Sequence, residues 1–484
     1  MDFKNIKYAY FLGIGGIGMS AIARYFNHLD IKVMGYDKTE TNLTKQLVAE
    51  GIAIHYEDLA DKVSINHQLS TDNCLVVLTP AIPVNHQEWA WFKNNGFNIL
   101  KRSQVLGLIS EQSKTVGVAG THGKTTTSTL LAHILKQSHV DCNAFLGGIS
   151  SNYNTNLLLN EKSSENIEQS AMVVEADEFD RSFLTLHPFI SIITSTDADH
   201  LDIYGEHEEL KKSFLDYANR LVEGGTLIIK KELDLVGANN FSPTYNAVRA
   251  NQHSPLMEKA NIDSPLLTYS IKTKADAYAS NIQIIKGNYH FDLHFKGHTL
   301  ANLQLGIPGL HNVENAVAAS AACLLLGVTE DELRAALLGF KGVKRRFEYI
   351  IKSDNQIFID DYAHHPEELR AIISSVKNMY PDEKVCVAFQ PHLFTRTRDF
   401  VDGFAECLSI ADEVYLLDIY PARELPIEGV TSKIIYDKIT SKKHLVGRQE
   451  LLDMIGQSKP KVFCTLGAGD IDLLILPIKN ILSK

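Results

Sequence analysis

Short apolar runs that stop at a glycine or a polar cluster, each followed by an amphipathic segment, recur along the whole chain. "YAYFLGIGG", "KVMGYD", "CLVVLTPAI" and "FNILKR" do this in the first hundred residues, and "KTVGVAG", "AMVVEAD", "FISIITST" and "TLIIK" in the next stretch. "QIFIDDYAHHP", "KVCVAFQPHLFTRTR", "EVYLLDIYPARE" and "KVFCTLGAGD" repeat the device towards the end. Such runs alternating with helices predict parallel sheets wound with helices, here in three α/β units. Ligands of open α/β sheets collect at the carboxyl ends of the strands, so the polar clusters mark where chemistry is expected. One region departs from this pattern. "AYASNIQIIKGNYHFDLHFKGHTLANLQL" alternates with period two and turns at Lys286–Asn288, which predicts an antiparallel meander. A helical pair follows, the second helix opened by a capping box of Thr329 and Glu332. "SEQSK", Ser110 to Lys114, reads as a linker, and the turn-rich "ANNFSPTYN" and "NQHSP" interrupt the second unit.

At 484 residues the chain exceeds what one core supports. A formal charge of −11 gives no electrostatic footprint for nucleic acid or an anionic membrane, so anionic ligands must be held locally, by loops and a few cations. No apolar run is long enough to insert in a membrane, and the N-terminus runs straight into a strand and turn, unlike a cleavable signal. Six cysteines without a C-x-x-C pair argue against zinc and disulfides and fit a reducing cytoplasm.

"GVAGTHGKTTT", Gly117 to Thr127, follows one predicted strand and opens a predicted helix. It lacks the first glycine of the strict phosphate-loop pattern, since Val118 stands there, yet its context is the one a phosphate loop requires. Gly120 and Gly123 free backbone N–H groups for phosphate oxygens, Lys124 is placed to neutralise outer phosphates, and the Thr125 hydroxyl to ligate magnesium. "MVVEADE" delivers Glu175 at a strand tip as a second magnesium ligand, and "ISIITSTDADH" delivers Asp199 and His200 from another. A histidine ligand suggests a second, less demanding metal site.

"GIGGIG" (Gly13, Gly15, Gly16, Gly18) follows the first strand, with Asp37 19 residues beyond Gly18. Alone this reads as dinucleotide binding, but a UDP-sugar also offers a diphosphate and a hydroxyl-bearing sugar. In the third unit Arg396 and Arg398, beside "FQPH", suggest a carboxylate or phosphate clamp.

The series "GIGGIGMS", "GTHGKTTT", "EADE.D.SF", "DADHLDIYG", "HN..NA", "KRRFE", "DDYAHHP", "FQPH..TRTRDF" and "GAGDI" resembles, in that order and over essentially the whole chain, the Mur ligase family of peptidoglycan synthesis. Within the family it resembles the alanine-adding type, whose loop also lacks the first glycine. The resemblance implies an ATP-dependent, cytoplasmic ligase joining L-alanine to the lactyl carboxylate of UDP-N-acetylmuramate through an acyl phosphate. It implies that Gly120, Thr121, His122, Gly123, Lys124, Thr125 and Thr126 cradle ATP, with His311, Asn312 and Asn315 contacting the nucleotide. Thr125 and Glu175 would hold one Mg2+ and His200 a second metal. Arg346 and Asp361 would reach the nucleotide from the third domain, and His365, Arg396 and Arg398 would bind the amino acid and acyl group. Gly13, Gly15, Gly16, Gly18 and Asp37 would hold UDP. Leu310, Leu393 and Arg423 stand where arginine, arginine and glycine are usual in the family, and Lys211 and Lys212 lie near where some members carry a carbamylated lysine. The expected fold is α/β in three domains. A Rossmann-like UDP-sugar domain occupies 1–111, and a P-loop ATPase-like domain with a small antiparallel sheet 112–340. A Rossmann-like amino-acid domain occupies 341–484, with Lys341–Gly342 as hinge.

Three other readings compete. A murein-recycling ligase of the same family adds a tripeptide, but the close succession of "EADE.D.SF" and "DADHLDIYG" favours alanine. An NAD-dependent oxidoreductase built on "GIGGIG" leaves the "GKTTT" loop without a purpose, and a non-catalytic nucleotide-binding module leaves the metal and acid–base candidates without one.

Overall fold

The first sheet is built around the run "YAYFL". Its parallel strands are β1 (Tyr8–Leu12), β2 (Lys32–Tyr36), β3 (Ala53–His55), β4 (Cys74–Leu78) and β5 (Ile99–Lys101), in the order β3-β2-β1-β4-β5. Central strands β1 and β4 are apolar and buried almost throughout because helices cover both faces. The computed structural model describes the chain except residues 1–4, 61–62, 64–68, 112, 162–170, 179–180, 198–203, 205–206, 234–265, 286–287, 423 and 484.

A second sheet contains β6 (Lys114–Ala119), β7 (Cys142–Phe145), β8 (Leu157–Leu158), β9 (Ala171–Glu175), β10 (Ile190–Ile193), β11 (Thr226–Lys230) and β12 (Leu266–Ser270). Its order is β12-β11-β10-β6-β9-β7-β8, parallel except for β7–β8. The predicted meander forms β13 (Ala277–Ile285), β14 (Asn288–Phe295) and β15 (His298–Leu305), in consecutive order, and it continues the same sheet, because the start of β13 pairs in parallel with β12. Thr329 and Glu332 cap the helix Glu330–Gly339 reciprocally, with N···O distances of 2.9 and 3.4 Å, as expected.

The last sheet comprises β16 (Glu348–Lys352), β17 (Ile357–Asp361), β18 (Val385–Phe389), β19 (Glu413–Leu416), β20 (Lys442–Leu445) and β21 (Val462–Leu466). Its order is β16-β17-β21-β18-β19-β20, with only β16 antiparallel. Three sheet-bearing α/β regions are therefore present, as the strand pattern predicts.

Chain contacts divide the molecule into two units. One contains 1–278, 295–297 and 317–336; the other 279–294, 298–316 and 337–484. This division bears on two expectations. Ser110 is no linker residue: it ends the helix Arg102–Ser110, is fully buried, and its carbonyl accepts the Thr115 hydroxyl at 2.7 Å. The first two sheets instead share one apolar core, in which the Tyr25 and Phe145 rings lie 5.5 Å apart and Asn156 Nδ2 donates to the Ile17 carbonyl at 2.9 Å. Nor does the division fall at Lys341–Gly342. Gly342 has a positive φ of 85° and packs on Ile307 within the second unit, and 336–337 is the last of the places where the chain changes unit.

The strand beneath the phosphate loop is tightly packed. A Cβ on Gly117 would stand 2.1 Å from the hydroxyl of Tyr217, a fully buried ring stacked on Phe183 at 4.9 Å. Gly117→Ala should destabilise the fold by about 1–3 kcal/mol through overpacking. Urea denaturation measures this, and an unchanged midpoint would show that the tyrosine yields freely.

Candidate active site

Strand register assembles the candidate phosphate site. In β6, Val118 pairs with Glu175 of β9 and Ala119 with Ile193 of β10, so the loop after β6 emerges between the ends of its two neighbours. Gly120 adopts φ 137°, and a Cβ there would lie 2.1 Å from Thr194 Oγ1. Gly123, at φ 83°, is the N-cap of the helix Lys124–Lys136. Glycine suits both positions because residues with a Cβ rarely take positive φ. The segment after β10 buttresses the loop. Ser195 Oγ bonds Thr121 Oγ1 at 2.8 Å and accepts the His122 N–H at 2.7 Å, Thr194 Oγ1 donates to the His122 carbonyl, and Thr121 Oγ1 accepts the Asp197 N–H at 3.0 Å. Thr126 follows on the first helical turn.

Thr125 Oγ1 donates to Glu175 Oε1 at 3.0 Å, while Glu175 Oε2 accepts the Gly147 N–H at 3.0 Å. A hydroxyl and a carboxylate facing each other from the loop helix and a strand tip are hard oxygen donors of the kind Mg2+ takes, so these residues fit that ion. Lys124 Nζ lies 2.6 Å from the Gly120 carbonyl and 2.8 Å from Glu178 Oε1. Burial works against its charge, but Glu178, Asp177 and Glu175 outweigh that and hold its pKa above the ordinary lysine value. Asp199 and His200, and Arg423, lie outside the described residues. Lys211 pairs with Glu208 at 3.1 Å.

At the first sheet, Gly13 takes φ 86° and Gly16 is the N-cap of the helix Ile17–His28, with no side chain capping it. Asp37 ends β2 and turns inward: its Oδ2 accepts the Gly15 N–H at 2.7 Å and its Oδ1 the Thr39 N–H at 3.2 Å. A Cβ on Gly18 would meet the Arg102 guanidinium at 2.6 Å, so this glycine makes room for a cation beside the first helical turn. Arg102 follows directly on β5, a strand end whose chemistry no motif announces.

In the second unit the turn "KRRFE" places Arg345 at φ 60° and Phe347 at φ 47°, left-handed conformations that side chains disfavour, on either side of Arg346. The Arg346 guanidinium lies 5.2 Å from the Tyr362 ring centroid and its Nη1 3.5 Å from Glu368 Oε1. Burial, reinforced by the charge of Arg346, depresses the His311 pKa to about 4. Asn312 donates to the Pro308 carbonyl at 2.5 Å, and Asn315 to Asn312 Oδ1 at 3.3 Å. Asp361 accepts the N–H groups of Phe347 at 2.6 Å and Ala363 at 2.7 Å. Burial pushes its pKa up to about 6, against the pull of Arg346. His311, Arg346 and Asp361 thus form one electrostatic cluster.

His365 is the N-cap of the helix Pro366–Met379, with its ring against Phe400 at 4.8 Å. The expected Arg396–Arg398 clamp is corrected. Both lie on the short helix Phe394–Asp399, where residues two apart do not share a face. Arg398 is half exposed and bonds Asp399 at 2.7 Å, whereas the Arg396 charge, after burial, helps hold His364 near a pKa of about 4. Leu310 starts the helix Leu310–Leu325, and Leu393, at φ 69°, donates its N–H to the Tyr420 carbonyl at 3.0 Å.

Three family models match the chain: "Mur ligase family, catalytic domain" over 8–114, "Mur ligase middle domain" over 118–323, and "Mur ligase, glutamate ligase domain" over 345–469. The chain belongs to the Mur ligase family. It is 47% identical over 486 residues to the UDP-N-acetylmuramate–L-alanine ligase of Phocaeicola vulgatus, covering 100% of both chains. It is 49% identical over 480 residues to that of Porphyromonas gingivalis, covering 99% of each. Among solved structures, the UDP-N-acetylmuramate-alanine ligase of Thermotoga maritima matches with a TM-score of 0.72 at 27% identity, covering 98% of each chain. A murein peptide ligase from Psychrobacter arcticus shares the fold, with a TM-score of 0.63 at 22% identity and 99% of each chain covered. Among the described residues, no helix is long and apolar enough to cross a membrane.

Asp361 carries a pH signature. Its folded pKa of about 6 lies above the ordinary aspartate value of 3.8, so its contribution to stability is full below pH 4 and is lost as pH rises through 6. A carboxyl-carbon NMR titration should give a midpoint near 6. A midpoint below the ordinary aspartate value would show that Arg346 and the two N–H groups outweigh burial.

Proposed function

We propose that this chain joins L-alanine to the lactyl carboxylate of UDP-N-acetylmuramate at the expense of ATP, in peptidoglycan precursor synthesis. The observation that carries the reading is the Thr125–Glu175 contact at the mouth of the Gly120–Thr126 loop, in a chain 47% identical end to end to an enzyme named for that ligation. The γ-phosphoryl group of ATP passes to the lactyl carboxylate, giving an acyl phosphate and ADP. The alanine amine attacks the acyl carbon, the tetrahedral intermediate collapses, and inorganic phosphate leaves as the amide forms. Both halves require reactants held in attack geometry and sheltered from water.

The residues divide by task. Backbone N–H groups of Gly120 to Thr126 and the Lys124 ammonium receive the ATP phosphates, and His311, Asn312 and Asn315 receive the rest of the nucleotide. Thr125 and Glu175 would hold Mg2+, which supplies charge neutralisation to the transferred phosphoryl group, and His200 is proposed for a second metal. Arg346 and Asp361 act with the nucleotide. His365, Arg396 and Arg398 bind the amino acid and acyl group. Gly13, Gly15, Gly16, Gly18 and Asp37 hold UDP, with Arg102 as the cation beside the diphosphate. The corresponding domains are 1–111, 112–340 and 341–484. Tripeptide addition is the weaker reading, because the murein peptide ligase likeness is at 22% identity.

Phosphate release from ATP should require magnesium, UDP-N-acetylmuramate and L-alanine together. Equal turnover without the sugar nucleotide, or with tripeptide in place of alanine, would count against the assignment. Lys124→Ala should fold normally and lose roughly 100- to 1,000-fold in turnover, because it removes a charge that stabilises the transition state. Turnover close to wild type would remove Lys124 from the site.

A further inference from the structure

The Lys124 ammonium is engaged within the chain. Glu178 Oε1 stands 2.8 Å from Nζ, and the Glu178 side chain is 0% exposed against 14% for Lys124. The Glu178 backbone is held at its carbonyl, which accepts the Tyr204 hydroxyl at 2.5 Å and the Arg181 N–H at 3.0 Å. On the other side, the Gly120 carbonyl takes the same ammonium at 2.6 Å. The lysine is thus spanned between a buried carboxylate and the backbone of the loop it serves, and the loop's one formal positive charge is balanced by the protein itself.

We propose that Glu178 is a positioning residue acting through Lys124. It holds the ammonium across the loop in the manner of a phosphate oxygen, and an arriving nucleotide must share the lysine with it. This rests on Gly120–Thr126 being the nucleotide phosphate site. Two effects follow with opposite sign. The carboxylate repels an incoming polyanion, which weakens nucleotide binding when no metal offsets the charge. The same carboxylate fixes the ammonium for phosphoryl transfer, which raises turnover.

Calorimetric titration of the full-length enzyme with ADP in EDTA separates these effects. Glu178→Gln keeps the shape and removes the charge. At an effective dielectric constant of about 20, removing the one negative charge that shares the lysine with the phosphates tightens metal-free ADP binding by roughly 10- to 100-fold. In the same variant kcat with magnesium should fall, because the ammonium has lost its anchor. Glu178→Asp keeps the charge but shortens the reach, so metal-free affinity should stay within about threefold while kcat falls. Weaker or unchanged ADP binding in Glu178→Gln, or an undiminished kcat, overturns the proposal. A side chain needed only for folding would loosen ADP binding in both variants. If Glu178→Gln does not fold, Glu178→Asp decides: unchanged affinity with reduced kcat supports the proposal, and a loss of affinity of more than about tenfold overturns it. Wild-type protein that binds ADP neither with nor without magnesium overturns the nucleotide reading itself, a result distinct from any difference between variants.

Discussion

Parallel pairing of β6 with β9 on one side and β10 on the other is the constraint on which the candidate phosphate site depends. It sets Glu175 opposite Val118 and brings Thr194 to the level of Gly120. Because side chains alternate along a strand, a one-residue slip of β9 would turn Glu175 away from Thr125 and present an apolar neighbour instead. The slip is resisted by packing: β6, β9 and β10 are apolar and enclosed, and a one-residue shift would swap the side chains facing each covering layer, leaving voids and overlaps in a close-packed core. The chemistry at the strand ends is therefore held in place by hydrophobic packing well below it, and Gly117 under Tyr217 belongs to that support.

An acidic chain that takes anionic substrates has to concentrate its cations, and it also has to keep them from collapsing onto nearby carboxylates. Lys124 shows one solution, a buried partner at fixed distance. Arg102 shows another: its guanidinium lies on Gly18 beside an uncapped helix N-terminus, where two positive features face the same space. A cation at that end of a helix is unfavourable by itself, and an anion between them relieves both. Asp37 holds the Gly15 and Thr39 N–H groups, so the carboxylate that the sequence pairs with the sugar nucleotide also shapes the glycine loop.

The strand pattern, the three sheets, the meander and the Thr329 cap were legible in the sequence because each is a local signal. The phosphate loop and Glu175 were legible because glycine, lysine and a strand-ending carboxylate occur in fixed order. Glu178 lay inside a quoted motif but had no legible task, since its meeting with Lys124 depends on a turn after β9. Arg102 was invisible for the same reason: only the packing of two elements brings it to Gly18. The Arg396–Arg398 reading failed on a period. Residues two apart converge on a strand face but diverge on a helix, and the short helix Phe394–Asp399 leaves Arg398 to Asp399. Ser110 looked like a linker because it is polar, whereas a buried helix end with its carbonyl taken by Thr115 satisfies a serine equally well.

The tandem residues of the third sheet show what a sequence leaves undecided even when the motif is found. "RRFE" and "DDYAHHP" each offer two like charges in a row, and nothing local says which member does chemistry. Along β17 the two carboxylates must point to opposite faces. Asp360 meets Thr465 Oγ1 at 2.6 Å, on the strand with which it is in register, and Arg345 Nε at 3.2 Å. Arg345 is further tied to the Gly467 carbonyl at 2.7 Å, so this pair closes the sheet end and has little freedom left. Asp361 is instead held by two backbone N–H groups, which orient the carboxylate without neutralising it, and Arg346 lies over the Tyr362 ring, as Arg345 does, with Glu368 at 3.5 Å. One Arg–Asp pair is thus consumed as structure, and that rigid closure allows the second pair to be presented from a turn with left-handed residues on both sides of Arg346.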